Sequence, residues 1–229
     1  MLDLKKNGIE LTESMKKDFN LFYTNLINKN KTTNLTRIIK KEDVYYYHFY
    51  DSLMVSLAID KTKKDIKLLD IGSGPGFPGV PLKIYMKDLN LTIVEATNKK
   101  IEFIKDTLKL LNIDDVRCIH LRAEDFKELE SFDYITTRAV STIKEQLEYT
   151  IPFLKIGGTL IAMKSANKAS EEIEESKDLL KEIGAIIKKV INYKVLERDY
   201  SLVLIEKIKK TSSKYPKPLH KEKKWTRKN

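Results

Sequence analysis

The chain has 229 residues, 41% of them apolar and 33% charged, with a formal net charge of +10 and one cysteine, Cys118. That length suits one large domain with small attachments, and no stretch approaches the ~20 apolar residues of a membrane span. A lone cysteine excludes an intramolecular disulfide and a cysteine-built zinc site, and the first residues lack the apolar core of a signal peptide, so a cytoplasmic protein is expected.

The first 60 residues read as helical. Leu11, Met15, Phe19, Phe22, Tyr23 and Leu26 recur at helical spacing behind a capping Thr12. A polar turn is expected over Asn28 to Thr36, then a second helix from about Lys41 to Ile59. His48 and Asp51 lie one turn apart on that helix, a pair that can orient a functional imidazole or tie two helices together. From Ile66 strands and helices alternate. Strands are expected near 66–71, 90–95, 115–120, 132–137, 157–163, 185–193 and 199–207, and helices near 79–87, 98–111, 142–150 and 170–183. Such alternation implies a mostly parallel sheet covered on both faces. Only Leu196 to Asp199 separate the last two strands, too few for a crossover helix, so these should form an antiparallel hairpin.

The first strand runs into Asp70-Ile71-Gly72-Ser73-Gly74-Pro75-Gly76-Phe77-Pro78-Gly79. In a doubly wound domain, a strand followed by a glycine-rich turn is where a nucleotide-like cofactor sits. Two cofactors compete for it. Gly74-x-Gly76-x-x-Gly79 fits the dinucleotide fingerprint, with Glu95 at the distance of a ribose-binding acid. Against that reading, Asp70 sets a carboxylate at the mouth of the loop, which would repel a pyrophosphate. Pro75, Pro78 and Pro81 also interrupt the helix start that normally offers N–H groups to phosphate. S-adenosylmethionine carries a sulfonium and an ammonium and no phosphate. The segment therefore points to a methyl donor, with Asp70, Ser73, Gly74 and Gly76 as candidate contacts. A parallel sheet ending in an antiparallel hairpin agrees, being the methyltransferase form of the doubly wound fold.

Later strand ends supply further candidates. Glu95 closes the second strand, where an ionised acid can accept hydrogen bonds from both ribose hydroxyls. Ala123-Glu124-Asp125-Phe126 follows the third strand and can bracket an adenine, with Ala123 leaving room for the ring; Asp125 reads instead as a helix cap. Arg138 and Lys164 end the fourth and fifth strands and are the positioning candidates. The permanent charge of Arg138 suits a phosphate, the methionine carboxylate or the face of a base. No metal site is expected. Enzymes that methylate an exocyclic amine tend to carry an Asn/Asp-Pro-Pro-aromatic turn after the fourth strand, where this chain has Thr136-Thr137-Arg138-Ala139. Methylation at pyrimidine C5 needs a cysteine nucleophile, and Cys118 reads as core. A nucleophile with its own lone pair, such as purine N7, needs only positioning and electrostatic stabilisation.

From Lys207 to Asn229 ten Lys/Arg face one acid, Glu222, so this end carries +9 of the net charge. It is either a nucleic-acid arm or a solubilising tail. Tyr215, His220 and Trp225, interleaved with the lysines, favour RNA because aromatic rings stack on unpaired bases.

Taken together the chain resembles the GidB/RsmG family of bacterial methyltransferases of small-subunit (16S) ribosomal RNA. The resemblance runs from Asn34-Leu35-Thr36 and His48-x-x-Asp51-Ser52-Leu53 to the basic tail. It is most specific over Leu69 to Gly79, with support from Arg122-Ala123-Glu124-Asp125-Phe126 and Thr137-Arg138-Ala139. It implies methyl transfer from S-adenosylmethionine to N7 of a guanine in a conserved 16S loop near the decoding centre. It further implies that Gly72, Phe77, the Ala123-Glu124 pair and Arg138 touch the cofactor. The resulting expectation is a class I S-adenosylmethionine-dependent methyltransferase (Rossmann-like) α/β fold: a helical extension over 1–62, a cofactor-binding core with a seven-stranded sheet over 63–207, and a flexible basic tail over 208–229. A monomer acting on 16S rRNA or the small subunit, without membrane or metal, is the favoured picture. Methylation of a small molecule or protein, and nicotinamide-dependent oxidoreduction, stand as alternatives.

Overall fold

The computed structural model describes residues 4–139 and 141–216. One seven-stranded sheet organises the chain. Its strands are β1 Lys67–Ile71, β2 Asn90–Glu95, β3 Arg117–His120, β4 Phe132–Arg138, β5 Leu154–Ser165, β6 Ala185–Val195 and β7 Arg198–Lys207. They lie in the order β3-β2-β1-β4-β5-β7-β6. The first five are parallel, and β7 pairs antiparallel with both β5 and β6. The expected sheet and its closing hairpin are therefore present. The strand order reverses between β1 and β4, so the crevice of this sheet opens above their carboxyl ends.

Successive strand residues point to opposite faces, and the two faces have separate cores. Leu68, Ile93, Leu202 and Leu204 belong to one core, and their neighbours Leu69, Val94, Val203 and Ile205 to the other. The second face is covered by α6 Ile143–Thr150, α7 Ala166–Glu175 and α8 Lys177–Ile183. A single helix was expected near 170–183. The break falls at Ser176, whose hydroxyl donates to the Glu172 carbonyl at 2.6 Å, a local bond that competes with helix propagation.

The first face is covered by α4 Gly79–Tyr85, α5 Asn98–Leu110 and the described residues of the helical extension. Helix α1 (Glu13–Thr33) starts at Thr12, whose hydroxyl accepts from the Met15 N–H. It runs through much of the expected polar turn and stops at Asn34, which adopts the left-handed conformation (φ 50°). Asn30 makes this stop possible: its side-chain oxygen accepts from the N–H groups of Leu35 and Thr36, and its amide donates to the Thr36 carbonyl. The second helical stretch changes pitch along its length, as α2 Lys41–Val44, a π-helical turn Tyr45–Tyr50, α3 Asp51–Met54 and a 3-10 turn Val55–Ala58. Phe19, Phe22 and Phe49 from the extension join Phe77 and Phe103 from the sheet side in one aromatic cluster, all fully buried. The extension thus shares its core with the sheet.

The structure departs from the expected tail boundary at 208. Lys207 is buried and donates to the Leu154 carbonyl at 2.8 Å and to Glu130 at 3.2 Å. Residues 208–216 then lie against the body: Tyr215 is 3% exposed and its hydroxyl donates to Glu182 at 2.6 Å. Residues 217–229, with His220 and Trp225, lie outside the described residues. Among the described residues no helix is long and apolar enough to cross a membrane.

Candidate functional site

The loop after β1 is shaped by Asp70. Its side chain is fully buried rather than set at the mouth of the crevice. One carboxylate oxygen accepts from the Ser73 hydroxyl at 2.5 Å and the Gly79 N–H at 2.9 Å, and the other from the Thr136 hydroxyl at 3.1 Å. Burial pushes the Asp70 carboxyl up to about 6, against the pull of these donors. Asp70 and Ser73 therefore bind the loop to itself and to β4, and neither presents its side chain to a ligand. Gly79 allows the approach, since a Cβ there would lie 2.7 Å from the Asp70 carboxylate.

Most of the loop is buried, and Gly72 and Gly74 are its part-exposed residues up to Gly79. Both have positive φ (70° and 59°), and the space where a Gly74 side chain would project is open. Gly76 also has positive φ (99°), but a Cβ there would press on Val80, so it serves loop packing. Phe77 is 1% exposed, stacked on Phe22 at 5.2 Å and on His48 at 4.5 Å. It is a core ring under the crevice, which the extension covers.

Glu95 completes the cradle. It is 5% exposed at the end of β2, and its two oxygens accept from the N–H groups of Gly74 and Thr97, each at 2.9 Å. Lys100 adds a cation at 3.7 Å. The carboxylate is thus locked in one orientation beside the open space at Gly74, with lone pairs left for further donors. Thr97 was not singled out from sequence; its position two residues past a strand-end acid was the available signal. Ala123 and Glu124 are half-buried in a short 3-10 turn after β3, at the same edge of the sheet.

The start of α4 bears on the choice of ligand. The Gly79 N–H is bonded to Asp70, those of Val80 and Leu82 to the Gly76 and Pro78 carbonyls, and Pro81 has none. All four positions that would present donors to a pyrophosphate are occupied or absent.

Arg138 ends β4 but turns toward the extension. Its guanidinium donates to Asp51 at 3.2 Å, to the Tyr47 carbonyl at 3.2 Å and to His48 Nδ1 at 3.3 Å, and lies over the Phe77 ring. Asp51 also accepts from the Tyr193 hydroxyl on β6 at 2.6 Å. His48 Nδ1 also lies 3.1 Å from the Tyr47 carbonyl, and its Nε2 shares a hydrogen bond with the Thr36 hydroxyl at 2.9 Å. Burial and the neighbouring Arg138 charge hold His48 down at about 3, so it is neutral. Burial raises the Asp51 carboxyl, while Arg138 and Tyr193 oppose the shift. The His48/Asp51 pair therefore fastens the extension to the sheet, and the pairing with Asp51 neutralises the Arg138 charge beside the crevice.

Lys164 is neither a solvated lysine nor a free group in the crevice. It is half-buried, pairs with Glu172 at 2.7 Å and donates to the Ser141 carbonyl. Glu172 accepts in turn from the Ile143 N–H at 2.8 Å, so Lys164 secures the segment leading into α6. Cys118 lies on β3, and burial pushes its thiol up to about 11, which removes it as a nucleophile. No group of three metal-ligating side chains occurs among the described residues.

Comparison with known proteins agrees with this geometry. A family model described as rRNA small subunit methyltransferase G matches residues 15–203. The ribosomal RNA small subunit methyltransferase G of Streptococcus gordonii is 40% identical over 219 residues, covering 93% of this chain and 92% of that protein. Its Lactobacillus johnsonii counterpart is 39% identical over 222 residues, with 94% and 92% covered. Among solved structures, TYW2 of M. jannaschii in complex with AdoMet superimposes with a TM-score of 0.59 at 17% identity, over 75% of this chain and 80% of that one. A SAM-dependent methyltransferase from Aquifex aeolicus gives 0.54 at 14% identity, over 72% and 93%. The chain belongs to the rRNA small subunit methyltransferase G family.

Proposed function

We infer that this member of the rRNA small subunit methyltransferase G family transfers a methyl group from S-adenosylmethionine to N7 of a guanine in a conserved loop of 16S rRNA near the decoding centre. The observation that carries the cofactor assignment is the cradle at Gly74: open space above a positive-φ glycine, beside a carboxylate whose orientation two N–H groups hold. Glu95 would accept from the ribose hydroxyls, Gly72 and Gly74 would let the methionine portion approach the backbone, and Ala123 and Glu124 would flank the adenine. When bound, the cofactor supplies a methyl group on a positively charged sulfur that leaves as a neutral thioether.

The guanine-N7 assignment rests on the family resemblance and on the chemistry of the crevice. N7 carries a lone pair in the plane of the ring, so no base has to remove a proton before attack. The residues near the strand ends match that need: Cys118 is a half-buried thiol on β3 whose pKa is raised, His48 is neutral, and Arg138 is paired with Asp51. Catalysis then rests on holding the two reactants in line and excluding water, a source of rate that needs no proton transfer. The pairing of Arg138 also keeps an uncompensated cation away from a purine that becomes positively charged on methylation.

The test is methyl incorporation from labelled S-adenosylmethionine into naked 16S rRNA, intact small subunits, total protein and soluble metabolites. N7-methylguanine weakens the glycosidic bond after borohydride reduction, so aniline should cut the labelled RNA at one site. Label confined to protein or metabolites would overturn the RNA reading, and labelled RNA that resists aniline would overturn N7.

A further inference from the structure

On the outer side of Tyr47 lies a surface pocket of about 250 Å³ that the cofactor cradle does not use. Two distant stretches build it: Arg37, Ile39 and Lys40 from the turn after α1, with Asp43 and Tyr47, and Arg198 at the start of β7. Three cations thus face a single carboxylate. Arg37 and Lys40 are exposed and make no ion pair among the described residues. The Arg198 guanidinium lies 4.4 Å from the centre of the Tyr47 ring and also bonds the Tyr200 side chain. Arg198 is exposed, so its planar guanidinium is open to solvent above the Tyr47 ring, and Ile39, 57% exposed, adds apolar surface at the rim.

A planar stacking face, an apolar rim and surplus positive charge are together what an unpaired nucleotide requires. An acidic peptide would use the cations but not the plane, and a bilayer would need a broad apolar face. The location fits as well. The Tyr47 carbonyl accepts from Arg138, so one residue separates the pocket from the strand ends of the crevice. We propose that this pocket receives a nucleotide of the RNA substrate flanking the target guanine, with its base against the Arg198–Tyr47 stack and its phosphate on Arg37 and Lys40. The proposal rests on the rRNA reading above and adds the surface that positions the strand.

The test uses the full chain and a fragment of small-subunit rRNA, with affinity measured across a salt series. Arg37→Ala/Arg198→Ala is compared with Lys63→Ala/Lys64→Ala, which removes two exposed cations from the loop before β1, at the opposite end of the strands. Each phosphate contact to a single strand contributes about −0.7 to the slope of log affinity against log salt, and of the two residues only Arg37 is placed on the phosphate, so the pocket variant should be shallower by roughly 0.7 and weaker at every salt concentration. The control should superimpose on the wild type. Arg37→Lys/Arg198→Lys should recover the slope but not the affinity, because lysine keeps the charge and loses the stacking plane. Binding of S-adenosylhomocysteine should be unchanged in all three. Equal slopes for the pocket variant and the control, with a wild type that binds and methylates the RNA, would overturn the pocket alone. A wild type that neither binds nor methylates the fragment would overturn the RNA reading itself, and the pocket assignment with it.

Discussion

Arg138→Ala should cost the protein much of its stability as well as its activity, for a reason visible around Asp51. In the folded chain the Asp51 side chain is 7% exposed and Arg138 is its cationic partner. Truncating the arginine leaves a buried carboxylate with the Tyr193 hydroxyl for support. Breaking a buried ion pair from one side costs about 3–5 kcal/mol, most of it the penalty of the stranded charge. The converse change, Asp51→Asn, should be milder, because Arg138 is 16% exposed and keeps its bonds to Tyr47 and His48. Arg138→Ala/Asp51→Asn should therefore be more stable than Arg138→Ala alone. The deficit also has a definite pH dependence. Burial raises the Asp51 carboxyl, and loss of Arg138 raises it further. A carboxyl whose folded pKa exceeds its unfolded value destabilises the fold above that unfolded pKa, and the effect vanishes as falling pH protonates it. Loss of the same cation also eases protonation of His48 at low pH. Both effects make the deficit smaller at about pH 5 than at about pH 8. Urea denaturation of wild type, both single variants and the double variant at the two pH values measures all of this. A loss below about 1 kcal/mol, the range of an exposed pair, or no recovery in the double variant, would refute the buried-charge argument.

Gly74→Val should leave the circular dichroism spectrum native and abolish the heat of S-adenosylmethionine binding, because the valine methyls would enter the open space beside Glu95 in a backbone region that β-branched residues avoid; near-wild-type affinity would remove this glycine from the site. His48 is held neutral in the fold down to about 3, whereas the unfolded chain takes up its proton near 6.5, so this residue costs stability as pH falls between those values. Between neutrality and pH 5 the wild type should lose about 2 kcal/mol relative to His48→Gln, and parallel urea midpoints for the two would contradict it. Truncation after Glu206 should destabilise the fold, since it removes the buried Lys207 and Tyr215. Truncation after Pro216 should preserve the melting temperature while making the RNA salt dependence shallower, because it removes six Lys/Arg (217, 221, 223, 224, 227, 228) against Glu222 alone. Identical salt slopes would assign that segment a role in solubility.

Periodicity and turn chemistry are local, and what they govern was legible in the chain itself. The alternation of apolar runs with helical stripes located every strand of the sheet, and the short Leu196–Asp199 interval required the hairpin that β6 and β7 form. The glycines of the loop after β1 likewise marked the crevice, because a positive φ is a constraint on one residue. Side-chain partnership across the sheet is a different matter. Arg138 meets Asp51 across 87 positions of sequence, and Asp51 meets Tyr193 across 142. Nothing local to Arg138 distinguishes a strand-end arginine aimed at a ligand from one aimed at a packed extension. Asp70 shows the same limit. Its place before the glycines suggested a carboxylate facing the ligand, and burial beneath Ser73, Gly79 and Thr136 made it the post around which the loop is tied. The charge-rich stretch after Glu206 was read from composition as a tail, yet Lys207 and Tyr215 are themselves buried and find acceptors on β5 and α8. Sequence determined which segments are strands, helices and the glycine turn after β1, because backbone conformation and amphipathic spacing act over a few residues. The tertiary structure alone decided which charges are neutralised, since that depends on which distant chain segments the cores bring together.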